Sequence, residues 1–326
     1  MSYKSIDGLM RHLRDNGIVI SGTPQKRQLI NTGYYHGYKG YRFFGDSQRK
    51  IPFGSYKEIY ATIQYDSKLK ALFYDKVMYI EMAVKNIALD VIISEIKSEN
   101  IQDMYDKAIS SYNNSSPALP IDTRKKIQQN KLNLQNTIQT YLSNAYKQGN
   151  PKITHFYNNM SYSGVPLWAL FEIMTLGDVG FLLSCLIPNI RKAISQRIGI
   201  NISSDTNLEL VYKYIYALKD LRNAIAHNAV VFDTRFRKID PTNSMKKCLQ
   251  LEVKLPYMNF KSIGDYVILI CYYLKLLKVS KTEIKAFIRD FEKIVSEYKT
   301  AVSVPIASMV IHPDLNARMK ILKNFI

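Results

Sequence analysis

The chain has 326 residues, 47% hydrophobic and 22% charged, enough apolar material for one large core or two modest ones. Its 45 lysines and arginines against 27 aspartates and glutamates give a formal net charge of +18, which makes nucleic acid the first partner to consider. Cys185, Cys248 and Cys271 are odd in number and far apart, which argues against a disulfide framework, and the most apolar run, Tyr266 to Leu274, is too short to cross a bilayer.

The N-terminus carries charges where a signal peptide needs an apolar stretch, and no polybasic run flanks an apolar segment. The expectation is a soluble, cytoplasmic protein with no membrane partner.

Ile6, Leu9, Met10 and Leu13 recur at helical spacing, as do Tyr56, Ile59, Tyr60 and Ile63. From Ser67 to about Ile96 an apolar series marks a long helix, with Lys68, Lys70, Lys76 and Lys85 assigned to its other face. Between these lies Gly33 to Asp46, where glycines at 33, 37 and 40 punctuate aromatics, so a loop or short hairpin is expected. Ser98 to Asp122 reads as a polar, proline-bearing connection, followed by a polar helix carrying Leu134, Ile138 and Leu142. Pro166 suits the start of a helix that contains Trp168, taken as core, and ends near Gly177.

Ser203, Ser204 and Asp205 offer N-caps for a helix reaching about His227. Two further helices, Ser262 to Val279 and Lys281 to about Thr300, follow, the second opened by Ser280 and Glu283 at capping-box spacing. The fold class is therefore all-α.

The chemically richest segment is LRNAIAHN, Leu221 to Asn228. Arg222 falls on the apolar seam of its helix, while Asp220, Asn223 and His227 form a separate stripe at i, i+3 and i+7. Arg222 and His227 lie about 140° apart around an ideal helix. They converge only if Arg222 reaches round, the helix end is distorted, or a second subunit contributes.

RNA carries its own nucleophile, the 2′-hydroxyl. Cleavage needs a base for that proton, an acid for the leaving 5′-oxygen and a cation on the phosphorane, which His and Arg can supply without a metal. The bland reading is that Arg222 pairs with a carboxylate such as Glu172 while His227 caps the helix.

Two other sets invite an RNA-binding reading. Tyr34, Tyr35, Tyr38, Arg42 and Phe43 interleave aromatics with cations as a stacking surface does; the alternative is an aromatic loop folded over the core. Arg124, Lys125 and Lys126, with Lys131 further on, form the densest basic cluster; the alternative is a solvated helix face. Glu81 and Lys85 read as a surface ion pair. His12, His36, His155 and His312 share no ligand spacing, so no metal or other cofactor is expected.

Arg222-Asn223-Ala224-Ile225-Ala226-His227 resembles the Arg-x4-His signature of HEPN ribonucleases. Four more blocks, SIDGLMRHLRDNGIVI at Ser5, INTGYYHGYKGYRFF at Ile30, YKEIYATIQYDSKLKALFYDKVMYIEMAVKN at Tyr56 and VPLWALFEIMTLGDVGFL at Val165, precede it in an order that resembles the Abi D/Abi F-like abortive-infection family. Relatives often carry an Arg shortly after the His, where this chain has Asn228, Ala229 and Val230, and an Arg where it has Lys85.

The resemblance implies a HEPN-like helical domain at 56–240 with an insertion near 98–150. A helix and aromatic-glycine region at 1–55 precedes it, and a helical extension at 241–326 follows. It also implies a metal-independent endoribonuclease acting as a toxin-like antiphage effector, with Arg222, Asn223 and His227 catalytic, RNA as substrate, a small RNA antitoxin and a homodimeric assembly. The competing function is a non-catalytic protein that uses the same motif to hold RNA.

Overall fold

The computed structural model describes residues 4–159, 161–162 and 164–326, and among them the regular structure is helical, with only isolated β-bridges. The chain is all-α, as expected. Among the described residues, no helix is long and apolar enough to cross a membrane.

In chain order the helices are α1 (Ile6–Asp15), α2 (Gly22–Thr32), α3 (Tyr56–Ile96), α4 (Ile101–Asp103), α5 (Ile121–Lys147), α6 (Pro151–Asn158) and α7 (Leu167–Ile173). There follow α8 (Leu176–Cys185), α9 (Pro188–Ile198), α10 (Leu210–Ala226), α11 (Asn243–Val253), α12 (Ile263–Leu276), α13 (Lys281–Ala301), α14 (Val304–Val310) and α15 (Leu315–Phe325).

Several expectations are corrected. The two early helical patterns at 56 and 67 are one helix, α3, because its 41 residues contain neither glycine nor proline to interrupt it. The glycine-aromatic segment is neither loop nor hairpin at its start: Tyr34–Lys39 forms a wide π-helical turn. The helix after Pro166 does not run to Gly177. It stops at Ile173, and α8 begins anew where the Thr175 hydroxyl accepts the Asp178 N–H at 3.3 Å.

The chain forms two compact units, each with its own core. The first comprises residues 1–78, 220–241 and 249–326. Its centre is α12, whose residues Ile263 to Leu274 are all buried and which packs against α13 and α15. Ser262 and Asp265 close a capping box at the head of α12, and Asp265 also meets Arg318 of α15 in a fully buried ion pair. The first half of α3 adds Ile59, Leu69, Phe73 and Val77 to this core.

The second unit comprises residues 79–219 and 242–248. Here α5 packs on α6, α7 and α8, burying Leu134, Ile138 and Leu142. The chain on either side is stitched by short bridges, such as the Leu167 N–H donating to the Glu99 carbonyl at 2.8 Å. The three cysteines are buried and form no disulfide among the described residues.

Candidate active site

The helix that carries the Arg-His motif is anchored at its start by buried Asp205, whose Oδ1 accepts the Glu209 and Leu210 N–H groups at 2.8 and 3.1 Å. At its end Asn228 adopts the left-handed conformation at φ 51°. The Asn228 N–H donates to the Ile225 carbonyl at 3.1 Å and the Ala229 N–H to the Ala224 carbonyl at 2.8 Å. This is a Schellman turn, and it makes His227 the C-cap residue.

The His227 side chain is exposed and makes no hydrogen bond among the described residues. Arg222 and Asn223 are half-buried, and Arg222 Nη1 donates to Asn223 Oδ1 at 3.3 Å. Glu172, the carboxylate considered for Arg222, instead pairs with Lys152 at 2.7 Å. Asp220 is buried, and one of its oxygens accepts the Lys238 N–H at 3.3 Å.

The turn after His227 is held from α3. Asp66 is fully buried; its Oδ1 accepts the Val231 and Phe232 N–H groups at 2.7 and 2.8 Å, and its Oδ2 accepts the Tyr41 hydroxyl at 2.8 Å. Lys70, one helical turn on, lies 2.8 Å from Asp66 Oδ2 and donates to Asn228 Oδ1 at 2.8 Å. Lys70 is only 8% exposed, so its assignment to the open face of α3 is corrected: a buried carboxylate and an amide oxygen satisfy the ammonium. Burial and the Asp66 charge push the Tyr41 phenol well above its ordinary range, so it stays a donor.

Neither Asp66 nor Lys70 stands out as a motif. A signal does exist: both fall on the apolar stripe Ile59, Ile63, Leu69, Phe73 and Val77, where a polar residue must find a buried partner.

The same segment also holds the aromatic-glycine region. Asp233, buried, accepts the Gly45 N–H at 2.7 Å and the Arg235 guanidinium, and Arg235 reaches the Gly40 and Phe43 carbonyls. Tyr34 and Tyr38 are buried at 9% and 3%, while Tyr35 is 65% exposed, so most of the expected stacking surface is turned into the fold. Arg42 is half-buried, with its guanidinium 4.4 Å from the centre of the Phe43 ring.

In the second unit the basic cluster divides. Arg124 lies 4.1 Å over the Tyr112 ring and donates to the Tyr112 carbonyl at 3.1 Å, and Lys131 donates to the Tyr105 carbonyl at 2.7 Å. Lys125 and Lys126 are exposed. Glu81 is buried and meets Lys85 at 3.1 Å, while Lys85 also donates to the Met174 carbonyl at 2.8 Å, so the pair is internal rather than on the surface. Trp168, expected in the core, is 41% exposed because it points away from the buried Leu167, Ala169, Leu170 and Phe171 of its short helix.

Charge is unevenly shared. The first unit holds 29 lysines and arginines against 16 aspartates and glutamates, +13 of the total +18, so the unit that contains His227 is the strongly basic one.

The family model described as Abi-like protein matches residues 27–233, a span that includes the π-helical turn, Asp66, Lys70 and the Arg222–His227 helix end. No curated protein and no solved structure matches the chain.

Proposed function

Because the chain belongs to the Abi-like protein family, we propose that it serves abortive-infection defence as a HEPN-type, metal-independent endoribonuclease, with Arg222, Asn223 and His227 as its catalytic set. The observation that carries this reading is His227: an exposed imidazole, engaged with no described residue, at a helix end fixed by a buried network.

In the proposed reaction an imidazole takes the 2′-hydroxyl proton as the 2′-oxygen bonds to phosphorus. The bond from phosphorus to the 5′-oxygen breaks, and an acid returns a proton to that oxygen. Arg222 neutralises the phosphorane, and Asn223 braces Arg222. The products are a 2′,3′-cyclic phosphate and a 5′-hydroxyl.

One motif supplies one imidazole, and Arg222 and His227 lie about 140° apart on an ideal helix. A homodimer that faces two motifs across a two-fold axis supplies both base and acid. A small RNA partner that occupies the basic first unit is the proposed means of restraint.

The test is incubation of purified protein with RNA in excess chelator, followed by analysis of the ends. Cyclic phosphate ends, lost in His227→Ala, are expected. Activity that needs added magnesium or manganese sinks the mechanism. RNA left intact after long incubation favours a non-catalytic RNA-binding protein.

A further inference from the structure

Trp168 is the single tryptophan of the chain, and it stands exposed on a surface that the proposed reaction does not use. It belongs to the second unit, with His155, Phe156 and Tyr162 around it. Phe156 is buried and meets Trp168 edge-on at 5.4 Å and Tyr162 edge-on at 4.9 Å, while the His155 ring lies 5.1 Å from Tyr162. Interlocked rings of this kind are held in place by one another, so their exposed faces are preformed.

Two clefts share this cluster. One of about 570 Å³ is bordered by Trp168, Tyr162, Glu99 and Asn100, and one of about 390 Å³ by Trp168, Lys152 and Glu172; His155 and Phe156 line both. Each falls within the range of small-molecule sites.

The polar groups at the rim narrow the occupant. Lys152 and Glu172 neutralise one another at 2.7 Å. The Glu99 carboxylate has no partner among the described residues, and neither has the Trp168 indole N–H. Asn100 Oδ1 accepts the Gln102 N–H at 2.7 Å, and the Asn100 side-chain N–H groups donate to no described residue. The cleft thus offers ring faces for stacking, an open carboxylate acceptor and N–H donors, and, among the described residues that line it, no unpaired cation. That set does not fit a phosphate. It fits the flat face and the hydrogen-bonding edge of a base.

We propose that the Trp168 cleft binds one unpaired nucleobase of an RNA strand, stacked on Trp168, with Glu99 reading a base edge that donates hydrogen bonds. Guanine is the base that matches best, since its N1–H and N2–H donors lie side by side and meet the two oxygens of a carboxylate. Uracil presents a single N–H between two acceptors and so faces Glu99 with its own oxygens. The site selects where along a strand the protein sits, a task separate from cutting. It rests on RNA being the ligand of the chain, but not on the ribonuclease reading.

Trp168 is its own probe. Short 2′-O-methyl oligouridine and the same oligomer with one central guanosine, both lacking the 2′-hydroxyl nucleophile, are titrated into the full chain while tryptophan emission is followed. The guanosine oligomer is expected to quench emission and to bind roughly tenfold or more tightly than oligouridine. Glu99→Gln should abolish that preference and leave the quench, and His227→Ala should change neither.

Oligomers that bind by anisotropy yet leave Trp168 emission unmoved overturn the site, as does quenching by a proline-rich peptide in place of RNA. A guanosine preference that survives Glu99→Gln overturns the edge contact. If RNA is never cut but the quench appears, the ribonuclease reading fails and this one stands; if RNA is cut but neither oligomer binds, this site fails and the ribonuclease reading stands.

Discussion

Lys70 Nζ lies 2.8 Å from Asn228 Oδ1, so a lysine in the middle of the long helix grips the residue that immediately follows His227. The same ammonium lies 2.8 Å from the buried carboxylate of Asp66, which in turn holds the backbone of Val231 and Phe232. Lys70→Met leaves that carboxylate without its cation. The expected loss is about 3 kcal/mol, at the low end for a broken buried pair because Asp66 keeps its other donors. Urea denaturation checks it, and a loss under about 1 kcal/mol, the scale of exposed pairs, means the pair is solvated.

Asn228 separates backbone from side chain. Asn228→Gly keeps a residue that tolerates φ 51° but deletes the acceptor for Lys70, whereas Asn228→Ala loses both. Alanine should therefore be the less stable of the two by roughly 1 kcal/mol, the usual cost of a left-handed residue with a Cβ. Equal stabilities in thermal melts would show that the turn is not under this constraint.

Binding and cleavage should part company at the motif. His227→Ala removes a proton-transfer group and should slow cleavage by on the order of 10² to 10⁴ while RNA affinity stays nearly unchanged. Arg222→Ala should lose cleavage and a small part of the affinity. A folded His227→Ala protein that no longer binds RNA makes the motif a binding element instead.

The basic cluster at the head of α5 divides by role. Arg124 is spent on Tyr112, so Arg124→Ala should lower stability and leave RNA affinity alone. Lys125→Ala with Lys126→Ala should do the reverse, flattening the slope of log affinity against log salt by about one unit per lost phosphate contact. An unchanged slope removes the cluster from the RNA surface.

Asp265 and Arg318 predict a pH dependence. Burial raises the Asp265 carboxyl above its ordinary value, and the Arg318 guanidinium opposes that rise. A raised carboxyl binds its proton more tightly folded than unfolded. Its contribution to stability is therefore complete below the unfolded pKa, about 3.9, and is lost as pH rises through the folded pKa. Arg318→Met removes the opposing cation and lifts the folded value further. The variant should approach the parent at acid pH and fall furthest behind it near neutrality, by about 3–5 kcal/mol. Urea midpoints across that range test the sign.

How much could be read in advance depended on whether the signal was local. Helix caps such as Ser280 with Glu283, and apolar spacing such as Leu134, Ile138 and Leu142, depend on neighbours in sequence and were legible. Trp168 was not, because a seven-residue helix whose residues are nearly all apolar has no spacing to say which one faces out. The partners of Lys70 were equally hidden, since Asn228 is 158 residues away and nothing in its own surroundings calls for a lysine. The motif itself was visible, but the turn that makes His227 a C-cap rests on Asn228 in a left-handed conformation, which many asparagines never adopt.

The first unit is assembled from three separated stretches of chain, the last of which begins at residue 249. During synthesis, then, residues 1–78 and 220–241 emerge before α12 and the α13 and α15 helices that pack on it to complete their core. The second unit, nearly continuous from 79 to 219, can close much earlier. A nascent chain therefore carries the Arg222–His227 segment, with the Asp66 and Lys70 side chains that hold its turn, for seconds before α12 and the later helices of the first unit's core emerge, at translation rates of about 5–20 residues per second.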